Sequence, residues 1–151
     1  MRWILLKEII EIRMDRWAKT RAEVPEAPYG REILFLEMMA QTAGLLLGAQ
    51  SDYRSDIVFG KVEKASFEGD LKPGTLIEIH ASSEDLRPEG AWFQASVISA
   101  GNKHAEARFF LVQAGRLAPG TSKSVTFPEE FLRHFDVRAK VRSSREAPGI
   151  L

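Results

Sequence analysis

The feature that most constrains this chain is an apolar stretch from residue 33 to residue 49 whose single charged residue is Glu37. Leu34, Phe35, Leu36, Met38, Met39, Ala40, Leu45, Leu46 and Leu47 fall on all sides of a helical wheel. Such a pattern predicts a buried helix, here from Glu32 to about Gln50. The stretch is shorter than the roughly 20 apolar residues that span a bilayer. Whatever the rest of the chain forms must therefore wrap this helix. Small residues at Ala40, Ala43 and Gly44 would let another backbone come close to it. Met38 and Met39 read as core filler.

Glu37 is out of place in such a helix, because carboxylates are almost never fully buried unless paired. Burial favours the neutral acid and raises its pKa, which suits a glutamate to proton transfer near neutral pH. Gln41, one turn further on, shares its face and can orient the carboxyl group. The competing reading is that Glu37 reaches a solvent edge or meets an arginine from elsewhere in the chain.

The flanks read as strands. Leu5 to Arg13 and Trp17 to Val24 suggest an antiparallel hairpin, with a short helix at the start as the alternative. Pro25, Pro28 and Gly30 then interrupt regular structure. After the helix, strands are predicted at Ile57 to Phe67, Thr75 to Ser83, Ala91 to Ala100 and His104 to Gln113. Turn chemistry separates them at Lys72-Pro73-Gly74, Arg87-Pro88-Glu89-Gly90 and Gly101-Asn102. The order of hairpin, long helix and antiparallel meander predicts an α+β fold in which one sheet wraps a central helix. Residues 1–117 are expected to form this domain. Residues 118–151 form a C-terminal extension, with a short helix starting near Phe127 under a Thr126 N-cap. A basic run follows (Arg133, Arg138, Lys140, Arg142, Arg145), then a tail expected to be mobile.

Composition narrows the function classes. Lysine plus arginine and aspartate plus glutamate number 21 each, so no net field points to nucleic acid or an anionic membrane. The absence of cysteine excludes disulfides, thiolate catalysis and cysteine-type zinc sites. No metal or cofactor is expected. The N-terminal apolar run is broken by Lys7, Glu8 and Glu11, unlike a secretory signal, and a cytoplasmic setting is expected. His80, His104 and His134 read as ordinary surface or edge residues.

The segment Ile33-Leu34-Phe35-Leu36-Glu37-Met38-Met39-Ala40-Gln41-Thr42-Ala43-Gly44 closely resembles the central-helix motif of the FabZ/FabA-type 3-hydroxyacyl-ACP dehydratase family. Gly60 to Phe67 is similar to the strand that follows that helix. Leu71-Lys72-Pro73-Gly74-Thr75-Leu76 is similar to the family's proline-glycine turn, and His104-Ala105-Glu106-Ala107 falls in its last strand. The resemblance covers most of residues 5 to 113. It implies a hotdog fold, a homodimer or an oligomer of dimers, and an acyl chain held in a tunnel at the subunit interface. The thioester would be presented on an acyl carrier protein or on CoA, and the basic C-terminal run could steer an acidic carrier. Glu37 would be the catalytic acid, with Gln41 orienting it. Gly30, Glu32, Ile33, Met38, Ala40 and Gly60 would line the substrate site, and helix-start N–H groups would hold the thioester carbonyl.

The sequence departs from the family at one decisive place. The family's histidine stands fourteen positions before the carboxylate, and here that position is Glu23, beside Pro25. Glu32 also replaces the glycine expected at the helix start, with Gly30 two residues earlier. Glu23 could share a proton with Glu37 and raise one of the two pKa values. Three activities stay open on this reading: dehydration, thioester hydrolysis using Glu37, or a non-catalytic acyl-thioester-binding or partner role.

Overall fold

The computed structural model describes residues 4–27, 30–115 and 126–146. Strands β1 (Leu6–Arg13) and β2 (Trp17–Glu23) precede helix α1 (Arg31–Gly48), which runs into a single 3-10 turn at Ala49–Ser51. Four strands follow: β3 (Ile57–Phe67), β4 (Leu76–Glu84), β5 (Gly90–Ser99) and β6 (Asn102–Gln113). Helices α2 (Glu129–His134) and α3 (Val137–Glu146) end the described chain. All six strands join one antiparallel sheet in the order β1-β2-β4-β5-β6-β3. The predicted hairpin, helix and meander are all present, with ends within a few residues of expectation.

Period-two alternation sends Ile77, Ile79, Phe93, Val97, Phe109 and Leu111 from successive strands onto the helix side, where all are buried. β2 pairs with β4 without interruption from Trp17 opposite Ser82 to Glu23 opposite Leu76. The helix and β3 thus lie in the connection between two strands that are neighbours in the sheet. The rotation of the helix is fixed by a buried hydroxyl pair. Thr42 donates to the Met38 carbonyl at 2.8 Å, so its one proton is committed, and Thr20 on β2 donates to Thr42 at 2.8 Å. Both threonines are fully buried. Thr20→Val should leave an acceptor unmet and cost about 1 to 3 kcal/mol, measurable by chemical denaturation.

The all-round burial expected of the helix holds only in its second half. Leu45, Leu46 and Leu47 are inaccessible, whereas Ile33 in the first turn is 72% exposed. By length and composition Arg31–Ser51 could cross a membrane. Here the helix is the core element of a sheet-wrapped fold, and the sheet covers one side of it.

The other side of its second half is covered by the C-terminal segment. Phe127 lies against Gly44 and Gly48: a Cβ on Gly48 would come within 2.8 Å of the Phe127 ring and 2.6 Å of Tyr53. The strip of small residues therefore receives an aromatic ring rather than a second backbone. Phe127, Phe131, Leu132, Phe135, Val137 and Val141 all belong to the hydrophobic core. The N-cap of α2 is Pro128, without a side-chain cap bond, instead of Thr126. Thr126 is used elsewhere: its N–H donates to buried Asp56 at 2.7 Å, and its hydroxyl accepts from the Ile57 N–H at 2.9 Å. Much of the basic run lies in α3, with Arg138, Arg142 and Arg145 exposed. That helix packs on β1, and in the turn just after that strand the Met14 N–H donates to Ser144 Oγ at 2.8 Å. The expected mobile tail beyond residue 146 and the boundary near residue 117 lie outside the described residues.

Candidate functional site

Glu37 sits in the second turn of α1 on the side facing away from the sheet strands that pack Met38 and Thr42. It opens into a cleft of about 710 Å³. Ala40, Gln41 and Gly44 continue the helix wall, Ile57, Val58 and Phe59 at the start of β3 form a second, and the segment from Thr126 to Phe131 forms a third. Most of this lining is apolar, and Glu130 on the third wall is the other carboxylate beside Glu37.

The Glu37 carboxyl is held by a two-step relay of hydrogen bonds. The Leu5 N–H donates to Gln41 Oε1 at 3.1 Å, which sets the orientation of the amide. Gln41 Nε2 then donates to Glu37 Oε1 at 3.2 Å. Burial raises the Glu37 pKa above the ordinary carboxylate value, and the bond from Gln41 opposes this to a smaller degree. The expected partnership of Glu37 and Gln41 is therefore present, and Glu37 is half-buried rather than enclosed. Gln41→Met should remove the opposing bond and push the Glu37 pKa further up, read as an upward shift of its carboxyl titration by NMR.

Glu23 lies elsewhere. Its carboxylate is paired with Lys7 across the β1–β2 hairpin, and it borders a separate depression with Val24, Pro25, Pro73 and Gly74. Within one chain it borders a different depression from the Glu37 cleft, with Lys7 as its partner. Met38 reaches that second depression from the helix but is almost wholly buried.

The helix start has its own geometry. Gly30 holds the N-cap position with φ 78°, in the left-handed region that disfavours a Cβ, and its carbonyl accepts the first helical bonds from Ile33 and Leu34. The N–H groups of the first turn are those a helix leaves without intrahelical partners. Arg31 is turned back from this end, donating to the Leu71 carbonyl at 2.6 Å and to Asp70 at 3.0 Å. Glu32 and Ile33 are exposed. Gly60 is the extra residue of a bulge in β3, between the pairs Phe59 with Leu111 and Lys61 with Phe110.

Among the described residues no histidine lines the Glu37 cleft. His80 is on the outer sheet face beside Glu78, and His134 packs edge-on against Phe135. His104 stands near the helix start, facing a small hollow with Gly30, Arg31 and Phe35. What the sequence reading missed is the third wall. Phe127, Phe131 and Phe135 recur every four residues, a stripe that would have signalled a core-facing segment.

No family model matches the chain. The 3-hydroxyacyl-acyl-carrier-protein dehydratase FabZ of Chlamydia pneumoniae is 36% identical over 93 residues, covering 58% of this chain and 61% of that protein. FabZ of Rhodopseudomonas palustris is 34% identical over 87 residues, 55% of this chain and 57% of that protein. The chain resembles the FabZ dehydratases. It spans about 57 to 61% of the length of these curated relatives.

Solved structures match it in shape. An uncharacterized protein of Pyrococcus horikoshii superposes with a TM-score of 0.58 at 18% identity, over 73% of this chain and 84% of that one. A dehydratase heterocomplex of Xenorhabdus doucetiae gives 0.54 at 18% identity, over 75% and 84%. A hypothetical thioesterase of Streptococcus pneumoniae gives 0.57 at 13% identity, over 74% and 90%. The shared architecture, an antiparallel sheet wrapped on one long helix, is the hotdog fold. The FabZ resemblance stated from the helix motif and the fold it implied are both borne out.

Proposed function

We propose that this chain handles acyl thioesters in the manner of a 3-hydroxyacyl dehydratase, with Glu37 as its proton-transfer group. The observation that supports this most is the placement of Glu37. It is an oriented carboxyl with a raised pKa on the wall of a mostly apolar cleft. In dehydration a base takes the C2 proton, the C2–C3 double bond forms, and the C3–O bond breaks. The leaving hydroxyl collects a proton and departs as water. A neutral Glu37 can give that proton. The first-turn N–H groups after Gly30, which a helix leaves without intrahelical partners, suit the thioester oxygen, where negative charge gathers.

One observation favours a second reading. Position 23 carries a lysine-paired glutamate, and among the described residues no histidine lines the cleft to take the C2 proton. Hydrolysis needs only one carboxylate. Ionised Glu37 would take a proton from water, the water oxygen would bond to the thioester carbon, and the C–S bond would break with the proton passing to the thiol. Assays with 3-hydroxyacyl, enoyl and saturated acyl thioesters on CoA and on carrier protein separate these. Interconversion of the first two supports dehydration, and thiol release supports hydrolysis. Binding without turnover of any of them would assign a non-catalytic partner role.

The assembly proposed is a homodimer in the cytoplasm, formed through β3. This is an edge strand of eleven residues, and Phe59 and Val62 are 37% and 40% exposed on it. Long apolar edges invite pairing with another strand. Val62→Lys should convert the dimer to a monomer in sedimentation velocity, and an unchanged sedimentation coefficient would count against this edge. For a carrier protein, α3 supports a docking role. Part of its charge is spent internally, since Arg138 is bonded to Glu129. Arg142 and Arg145 are exposed.

A further inference from the structure

We infer that Phe127 is the stop that sets how long an acyl chain the Glu37 cleft accepts, and that the limit falls at medium length. This deepens the acyl-thioester reading and rests on it for the identity of the head group. Glu37, Gln41, Gly44 and Gly48 follow one another at spacings of three and four and so form one stripe along α1. An apolar chain entering beside Glu37 has that stripe as its floor. From Glu37 to Gly44 the floor is roughly 10 Å long, seven residues at the helical rise. That length suits an octanoyl chain and is well short of a palmitoyl chain.

At Gly44 the floor meets a wall. A Cβ built there would lie 3.3 Å from Phe127 Cζ, and one on Gly48 would lie 2.8 Å from Phe127 Cε2. The ring therefore fills the groove that the two glycines leave. It is also fixed. Tyr53 packs edge-on to it at 5.0 Å and Phe131 lies against it at 5.8 Å. Its backbone neighbour Thr126 is bonded to both Asp56 and Ile57. A ring packed against two others and tied at its base does not swing aside for a longer ligand, so the floor along α1 ends where Phe127 stands.

The test measures binding of butyryl, octanoyl and palmitoyl thioesters of CoA, and of the matching free fatty acids, to the full chain by calorimetry. Wild type should bind the octanoyl ligands more tightly than the palmitoyl ones by roughly tenfold or more, the scale on which an apolar pocket discriminates length. Phe127→Ala should open the groove over Gly44 and Gly48 and erase or reverse that preference. Gly44→Ala should act in the opposite direction, weakening octanoyl relative to butyryl, because its methyl group, 3.3 Å from Phe127 Cζ, presses the ring outward and narrows the far end of the floor. Thermal melts report whether each variant is folded. If Phe127→Ala is not, Phe127→Leu and Gly44→Ala carry the test.

The same order of chain lengths in every folded variant would overturn the stop while leaving the thioester reading intact. Fatty acids bound with a Phe127-dependent limit, and thioesters not bound at all, would remove the thioester reading and keep the stop. A wild-type chain that binds neither series overturns both.

Discussion

Replacing Glu37 by Gln is expected to lower turnover of the acyl thioester by about 10²- to 10⁴-fold, the usual contribution of one positioned acid or base. Binding of the same ligand should change little, because the amide keeps the shape of the side chain and can still accept from Gln41. A loss of kcat without a matching rise in KM is thus the expected signature, and equal turnover in both proteins would end the catalytic role. The direction of the pH effect also follows. If Glu37 acts as an acid, activity is lost as pH rises through its raised pKa. If it acts as a base in hydrolysis, activity appears over the same interval.

The same substitution has a sign in stability. Burial lifts the Glu37 pKa in the folded chain above the 4.5 of an unhindered side chain, so the native state holds this proton more tightly than the unfolded state. Ionisation therefore costs stability as pH rises from the unfolded value through the folded one. Glutamine removes that cost. Glu37→Gln should melt higher than wild type at neutral pH, and the difference should shrink to nothing below about pH 4. A mutant that is more stable and less active at pH 7 would identify a group kept for chemistry at the expense of the fold.

The second large effect lies far from any reacting group. Phe131→Ala is expected to destabilise the protein by about 3 to 5 kcal/mol, the range for deleting a buried ring. Phe131 is 3% exposed and packs between Phe127 at 5.8 Å and Phe135 at 4.9 Å. Were residues 126–146 a loosely attached extension, the substitution would leave the denaturation midpoint where it is. Because these rings close the open side of α1, the midpoint should fall in a single transition shared by far-UV and near-UV signals.

The core of the architecture could be read from the sequence because it depends on local pattern. The alternation in β4 and β5, the turn residues between strands and the apolar run of α1 each act within a few neighbours. Glu37 was conspicuous for the same reason, since one carboxylate among apolar residues needs no tertiary information to notice, and Gln41 lies one helical turn away. The third wall of the cleft was not legible, because it depends on where a distant segment lands. Thr126 is a good N-cap residue by type, yet Asp56 and Ile57 claim its polar groups from seventy residues away. The partner of Glu23 was not legible for a related reason. Its position along the chain says nothing about Lys7, which the hairpin brings opposite to it. The exposed first turn of α1 likewise follows from which elements happen to cover it, something a helical wheel does not contain.

The contact of α3 with β1 sets an order of events during synthesis. The Met14 N–H finds Ser144 Oγ across 130 residues, and β1 has left the ribosome long before α3 is made. Until then the outer side of the hairpin, and the groove over Gly44 and Gly48, expose apolar surface in a nascent chain whose sheet is otherwise able to form. Closure awaits the last described helix. Long-range contacts of this kind slow folding and prolong the interval in which a chain can associate wrongly. Chaperone dependence should therefore concentrate in that interval, and ribosome-stalled chains ending before residue 126 should be protease-sensitive around α1, becoming resistant once residue 146 has emerged.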